Sequence, residues 1–144
     1  MRTLAWALLG ALLWGVAPIF GRLGLRHADP MEGLVARTVI TVLLVGSWSI
    51  WGGRYRILAS LPAGDWLFLG LEAFFATFAG DLAYYAALKS GGAGLTAIGL
   101  AVSPLVTVAL GNWLLGETTS LRQVAGSLLV VIGLLLVAES QVGR

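Results

Sequence analysis

The chain reads as an all-α, polytopic membrane bundle of about five transmembrane helices, on three observations. Hydrophobic residues make up 58% of the 144 positions and charged ones 11%, with a mean hydropathy of +0.92. Soluble domains average about 45–50% apolar and about 25% charged, so this content exceeds what a water-exposed fold can hide. The apolar residues also gather into stretches of roughly 20 residues, the length that crosses a bilayer. Short breaks carrying charge, Gly or Pro separate them. Residues 1–144 read as one domain, with no linker long enough to divide it.

The first span runs from about Leu4 to Phe20. Arg2 followed by an apolar run also resembles a secretory signal, but Trp14-Gly15 and Pro18 interrupt where a plain hydrophobic region would continue, so the span is expected to stay. Its break, Arg22 to Pro30, holds Arg22, Arg26, His27 and Asp29, which cannot enter lipid without a partner. The second span covers about Met31 to Trp51. The longest connection follows, Gly52 to Asp65, with Gly52-Gly53, Arg54, Arg56 and Pro62 marking a surface loop.

The third span covers about Trp66 to Leu88 and ends at Lys89-Ser90-Gly91-Gly92. The fourth runs from about Leu95 to Leu115 and the fifth from about Leu121 to Ala138, with Gly116-Glu117-Thr118-Thr119 between them. Ser120 and Gln123 have the spacing of a capping box for the last helix. Trp6, Trp48, Trp51, Trp66 and Trp113 lie near span ends, where aromatic belts form.

Five spans put the termini on opposite sides. One side then carries Arg2, Arg54, Arg56 and Arg122, and the other Arg22, Arg26, Lys89 and Arg144. Orientation normally follows an excess of Lys and Arg on the cytoplasmic side, and this balance removes that instruction. Insertion in both orientations is therefore expected, which would let two antiparallel copies of the chain build the inverted-repeat pair on which many transporters rest; the alternative is that the basic Gly52 to Asp65 loop prevails and sets a single orientation.

Several chemistries find no support. Cysteine is absent, removing disulfides and thiolate chemistry, and the single histidine, His27, lies in a loop without the further ligands a metal needs. Gly91-Gly92-Ala93-Gly94 lacks the Lys-Ser/Thr that completes a phosphate-binding loop. Ser103 and Thr107 have no His or Lys base within a span, so no catalytic residues are assigned. No metal, cofactor or nucleic-acid partner is expected.

Together, Trp14-Gly15, Pro18 to Phe20, Arg37 after a Pro30 entry, Pro104 inside the fourth span, and Leu114-Leu115-Gly116-Glu117 before Gly126 and Gly133 resemble the EamA-type repeat of the drug/metabolite transporter superfamily. The resemblance extends over essentially the whole chain, in a single-repeat form. It implies a multi-pass protein of the cell (inner) membrane that exports or exchanges small metabolites, amino acids or drugs without a cofactor. It further implies pairing with a second copy, or with a paralogous half, to give ten helices around a central cavity. Glu72 and Asp81 in the third span depart from the family pattern.

Ionisable groups inside a span cost about 2.5–3.5 kcal/mol at its centre unless paired, hydrated or neutralised. Arg37, Glu72 and Asp81 are the three. Arg37 and Asp81 lie at similar depth and can pair, either to fix helix packing or with Asp81 as the site of a cation or proton. On an ideal α-helix, Glu72 and Asp81 point to roughly opposite sides. In an antiparallel dimer, Glu72 of one copy would lie level with Asp81 of the other.

Phe74, Thr77, Phe78, Tyr84 and Tyr85 share the Asp81 face at helical spacing, and an acid among rings suits amines, although such stripes also pack cores. Trp14, Arg37, Glu72, Asp81, Tyr84 and Tyr85 are thus the candidates for substrate or proton binding. Gly99, Ser103, Thr107 and Gly111 form a stripe every four residues in the fourth span. Gly99, Thr107 and Gly111 suit close helix packing, while Ser103 and Pro104 mark a kink that can line a cavity or act as a hinge. The expected function is secondary transport of small organic solutes, possible proton coupling included. The alternative is a non-transporting scaffold or accessory half.

Overall fold

The computed structural model describes residues 2–58 and 60–142, with side chains through residue 137, so Arg144 of the charge tally lies outside the described residues. Every described element is helical: α1 (Arg2–Gly24), α2 (Pro30–Trp51), the short α3 (Tyr55–Leu58), α4 (Ala63–Glu72), a π-helical segment (Ala73–Gly80), α5 (Asp81–Gly91), α6 (Ala93–Leu100), α7 (Ser103–Leu115) and α8 (Leu121–Val142). Among the described residues, four helical stretches are long and apolar enough to cross a membrane: Arg2–Gly24, Pro30–Trp51, Ala63–Gly91 and Ala93–Leu115. The fifth expected span corresponds to α8, whose apolar part, Leu121–Val137, is shorter.

Two compact units compose the chain, Met1–Ala93 and Gly94–Arg144. In the first, α5 packs against both α1 and α2. The core there is small: Leu25, Leu34, Tyr85 and Leu88 are buried, with Leu88 fully enclosed, and Ala28, Leu82, Tyr84 and Ala93 pack around them. Most other large apolar side chains face outward, including Trp14, Trp48 and Trp51, with Trp51 93% exposed. Such a surface is tolerable in lipid, where apolar side chains need no cover from water.

Local chemistry sets the ends of these helices. Asp29 caps α2 by accepting from the Glu32 amide at 2.8 Å, and Glu32 accepts from the Asp29 amide at 2.9 Å. Pro30 follows in the first turn, where its missing N–H leaves no intrahelical bond unmade. The sequence reading treated this stretch only as a break, although Asp-x-x-Glu ahead of an apolar run carries the signal. At the far end of the chain, Ser120 and Gln123 form the expected box: the Ser120 amide donates to Gln123 Oε1 at 2.8 Å and the Gln123 amide to Ser120 Oγ at 3.3 Å.

In the fourth span, Pro104 sits at the start of α7 instead of inside a kinked helix. The helix ends at Leu100, and the chain turns at Ala101 and Val102 through short-range bonds, Ala101 N–H to Ile98 at 3.0 Å and Leu105 N–H to Val102 at 3.0 Å. Proline has no amide for the Leu100 carbonyl, so the α ladder is interrupted and the turn tightens.

In the second unit, Gly116 takes a left-handed conformation (φ +66°) that ends α7, and the Glu117 amide returns to the Gly111 carbonyl at 3.2 Å. Asn112 Nδ2 donates to the Glu117 carbonyl at 2.9 Å. The Glu117 carboxylate lies over Gly111, where an added Cβ would stand 2.9 Å from Oε2. Glu117 therefore folds back over the helix it leaves, while Ser120 and Gln123 cap the next.

Candidate functional site

The Arg37 guanidinium on α2 pairs with Asp81, the first residue of α5. The pair expected from matched depth is thus present and ties the second span to the third. Asp81 is largely enclosed, its side chain 18% exposed, and Oδ2 is shut off from the surroundings except for the guanidinium. Arg37 is the open partner at 44% exposure.

Asp81 owes its position to the π segment before it. Its amide donates to the Ala76 carbonyl, five residues back, and the widened turn brings the Phe75 carbonyl against Gly80, where a Cβ would stand only 2.6 Å from that oxygen. Only glycine leaves room there. Next to it, Phe74 stacks edge-on with Phe75 at 5.3 Å between ring centres and tilts against Phe78 at 5.9 Å.

This segment corrects the geometry drawn from an ideal α-helix. A π turn takes in about 4.4 residues in place of 3.6, because its bonds skip one residue further. The bonds through Ala73–Gly80 widen the helix between Glu72 and Asp81, so the two residues do not keep the 100° per residue on which that offset was counted. Hydropathy gave no sign of it, since Ala73–Gly80 is uniformly apolar apart from Thr77. The one available signal was Gly80 directly ahead of an in-span acid.

One turn beyond Asp81, Tyr84 is half-buried and within electrostatic reach of both Arg37 and Asp81. Its hydroxyl faces α1 at Gly21, where a Cβ would stand 3.6 Å from Oη and 3.0 Å from Leu88 Cδ1. Tyr85, with its ring centre 5.4 Å from that of Tyr84, lies against Gly21 as well and fills the core at 7% exposure. Arg37, Asp81 and Tyr84 are therefore brought together where α1, α2 and α5 meet, and Tyr85 backs them.

Two further candidates of the first unit stand apart from this cluster. Trp14 is 82% exposed on α1, and Glu72 is exposed at the end of α4 with no ion pair among the described residues. In the second unit, Ser103 and Pro104 open α7, and the Thr107 hydroxyl donates to the Ser103 carbonyl at 3.2 Å, so it is satisfied within its own helix. Gly111 is buried, whereas Gly99 has open space around it.

Sequence reasoning counted Arg22 and Lys89 only as loop charges. Both are held at helix ends: Arg22 donates to the carbonyls of Leu88 and Lys89, the latter at 2.7 Å, and Lys89 Nζ donates to the carbonyls of Leu25 at 2.8 Å and Ala28 at 2.6 Å. Their place near the last turns of two spans, where cations meet the negative ends of helix dipoles, was the available signal.

Comparison with known proteins adds a consistent picture. The family model described as "EamA-like transporter family" matches residues 1–138. A Sinorhizobium protein named "uncharacterized transporter in cobO 3'region" is 30% identical over 133 residues, covering 92% of this chain and 94% of that one. The uncharacterized transporter YyaM of Bacillus subtilis is 25% identical over 88% of this chain but only 41% of its own length. An uncharacterized transporter of Archaeoglobus fulgidus is 36% identical over 62% of this chain and 30% of its own. No solved structure matches.

Proposed function

The chain belongs to the EamA-like transporter family, and from that membership we propose that it is a secondary transporter of small organic solutes working as an inverted pair. That it is a membrane transporter of the drug/metabolite type follows from the family and from relatives named as transporters. The finer reading is that two antiparallel copies, or one copy and a paralogous half, enclose a cavity in the inner membrane. Relatives of two lengths support it: the chain spans nearly all of the Sinorhizobium protein and well under half of the Bacillus one.

The observation that carries the reading is the open side of the Arg37–Asp81 pair. An arginine side chain 44% exposed within a span needs water or a polar partner over its free donors, since lipid there costs several kcal/mol. A hydrated cavity meets that need. Within it, Asp81 takes up a cationic solute or a proton in exchange for its bond to Arg37, with Tyr84 beside it as the polar ring that orients the ligand.

Flux of labelled amines, amino acids and metabolites into proteoliposomes, with and without a pH gradient, tests this. The expected result is flux that Asp81→Asn reduces at least tenfold. Absence of flux for every solute class, with or without a gradient, would refute it and favour an accessory half that needs another chain. Labelling of both tagged termini from both sides of the membrane would be the mark of dual insertion.

A further inference from the structure

Where α1 and α5 end side by side, a cavity of about 390 Å³ is lined by Arg22, Leu23, Leu25, Arg26 and Lys89. Its lining carries three cations and no acid. Two of the cations are held in place by backbone carbonyls, Arg22 by Leu88 and Lys89 in the last turn of α5 and Lys89 by Leu25 and Ala28 in the turn after α1, so their positions are set before any ligand arrives. Neither is exhausted: a guanidinium has five N–H donors and an ammonium three. Arg26 is exposed and forms no side-chain hydrogen bond or ion pair among the described residues. Its whole planar fork is available, and that fork matches the oxygens of a phosphate.

The depth of the cavity is set by the spans. Arg2–Gly24 and Ala63–Gly91 both end beside it, which puts it at the level of lipid headgroups in a bilayer. Leu23, 47% exposed, supplies apolar surface next to the cations. Basic pockets between spans at this level suit anionic headgroups.

We propose that this cavity binds a phosphate-bearing anion, with Arg26 as the gripping residue and Arg22 and Lys89 as fixed positive walls. The phosphate is that of an anionic phospholipid or of a small soluble molecule. The site lies apart from the Arg37–Asp81 pair in composition, and its existence does not depend on transport.

The test uses the full chain, purified in nonionic detergent and titrated separately with phosphatidylglycerol, phosphatidylcholine and inorganic phosphate, with bound ligand read by native mass spectrometry and calorimetry. Saturable binding of phosphatidylglycerol but not phosphatidylcholine, weakened about five- to tenfold by Arg26→Gln and untouched by Arg122→Gln, is the expected result for a lipid source. Binding of inorganic phosphate with the same response to Arg26→Gln assigns the site to a soluble anion. Arg26→Gln should unfold at the wild-type temperature in detergent alone, because its side chain supports nothing in the fold. Equal retention of the two lipids with no response to phosphate, or phosphatidylglycerol binding indifferent to Arg26→Gln, overturns the proposal.

Discussion

Arg22 closes the carbonyl end of Lys89's helix, and Lys89 ties down the chain that leaves Arg22's helix. Arg22 reaches from the end of α1 to the last carbonyls of α5, and Lys89 reaches from α5 to Leu25 and Ala28 just past α1. The last carbonyls of a helix have no intrahelical donors; Arg22 supplies one for α5, Lys89 satisfies carbonyls of the turn after α1, and both cations stand near the negative end of a helix dipole. Lys89→Met keeps the stem and removes three donors. It is expected to cost about 1–2 kcal/mol, measured as a lowered unfolding temperature in detergent, with Lys89→Arg recovering most of the loss.

The Arg37–Asp81 pair predicts a different pattern. Arg37→Leu or Asp81→Leu alone leaves one charge uncompensated within a span, at a cost of about 1–3 kcal/mol, while the double substitution should regain most of that stability. Flux should fail in all three. A double variant that is both stable and active would make the pair packing alone.

Gly80→Ala would press a methyl group against the Phe75 carbonyl at 2.6 Å and drive the widened turn back toward α geometry. A backbone oxygen cannot swing aside as a side chain can, so the expected cost is about 1–3 kcal/mol, accompanied by loss of the Arg37–Asp81 coupling in the double-mutant comparison. Gly70→Ala, with open space around it, is the matched control and should be neutral or slightly stabilising.

Gly116 holds φ at +66° where α7 ends. Gly116→Ala is expected to cost about 1 kcal/mol and Gly116→Asn less, because asparagine enters the left-handed region more readily. Thermal unfolding of both variants beside wild type checks the order.

The long apolar runs, the Ser120–Gln123 cap and the matched depth of Arg37 and Asp81 could all be read from residue type and spacing. They depend on local composition and on counting along a helix, and both survive folding. The π segment could not, because its neighbours are all apolar and no change in hydropathy marks a change in residues per turn. The division of the fourth span at Leu100 was half visible: Pro104 announced a disturbance, but whether a helix bends or breaks depends on which carbonyls find other donors. The fold-back of Glu117 over Gly111 was not legible, because it depends on the left-handed Gly116. Tyr84 and Tyr85 share one stripe on paper, yet Tyr84 stays half-buried with its hydroxyl toward Gly21 and Tyr85 fills the core, a difference set by α1 and α2 closing on α5.

A π turn stores one surplus residue in the wall of a helix, and such a surplus can be released only whole. If the turn passed out of the third span, everything beyond it would swing by about 100°, one residue's worth of azimuth, in a single step. Such a step would give Asp81 two stations relative to Glu72 with no continuum between them. Spin labels at 72 and 81 that reported one broad, unimodal distribution of separations under every condition would contradict such a ratchet.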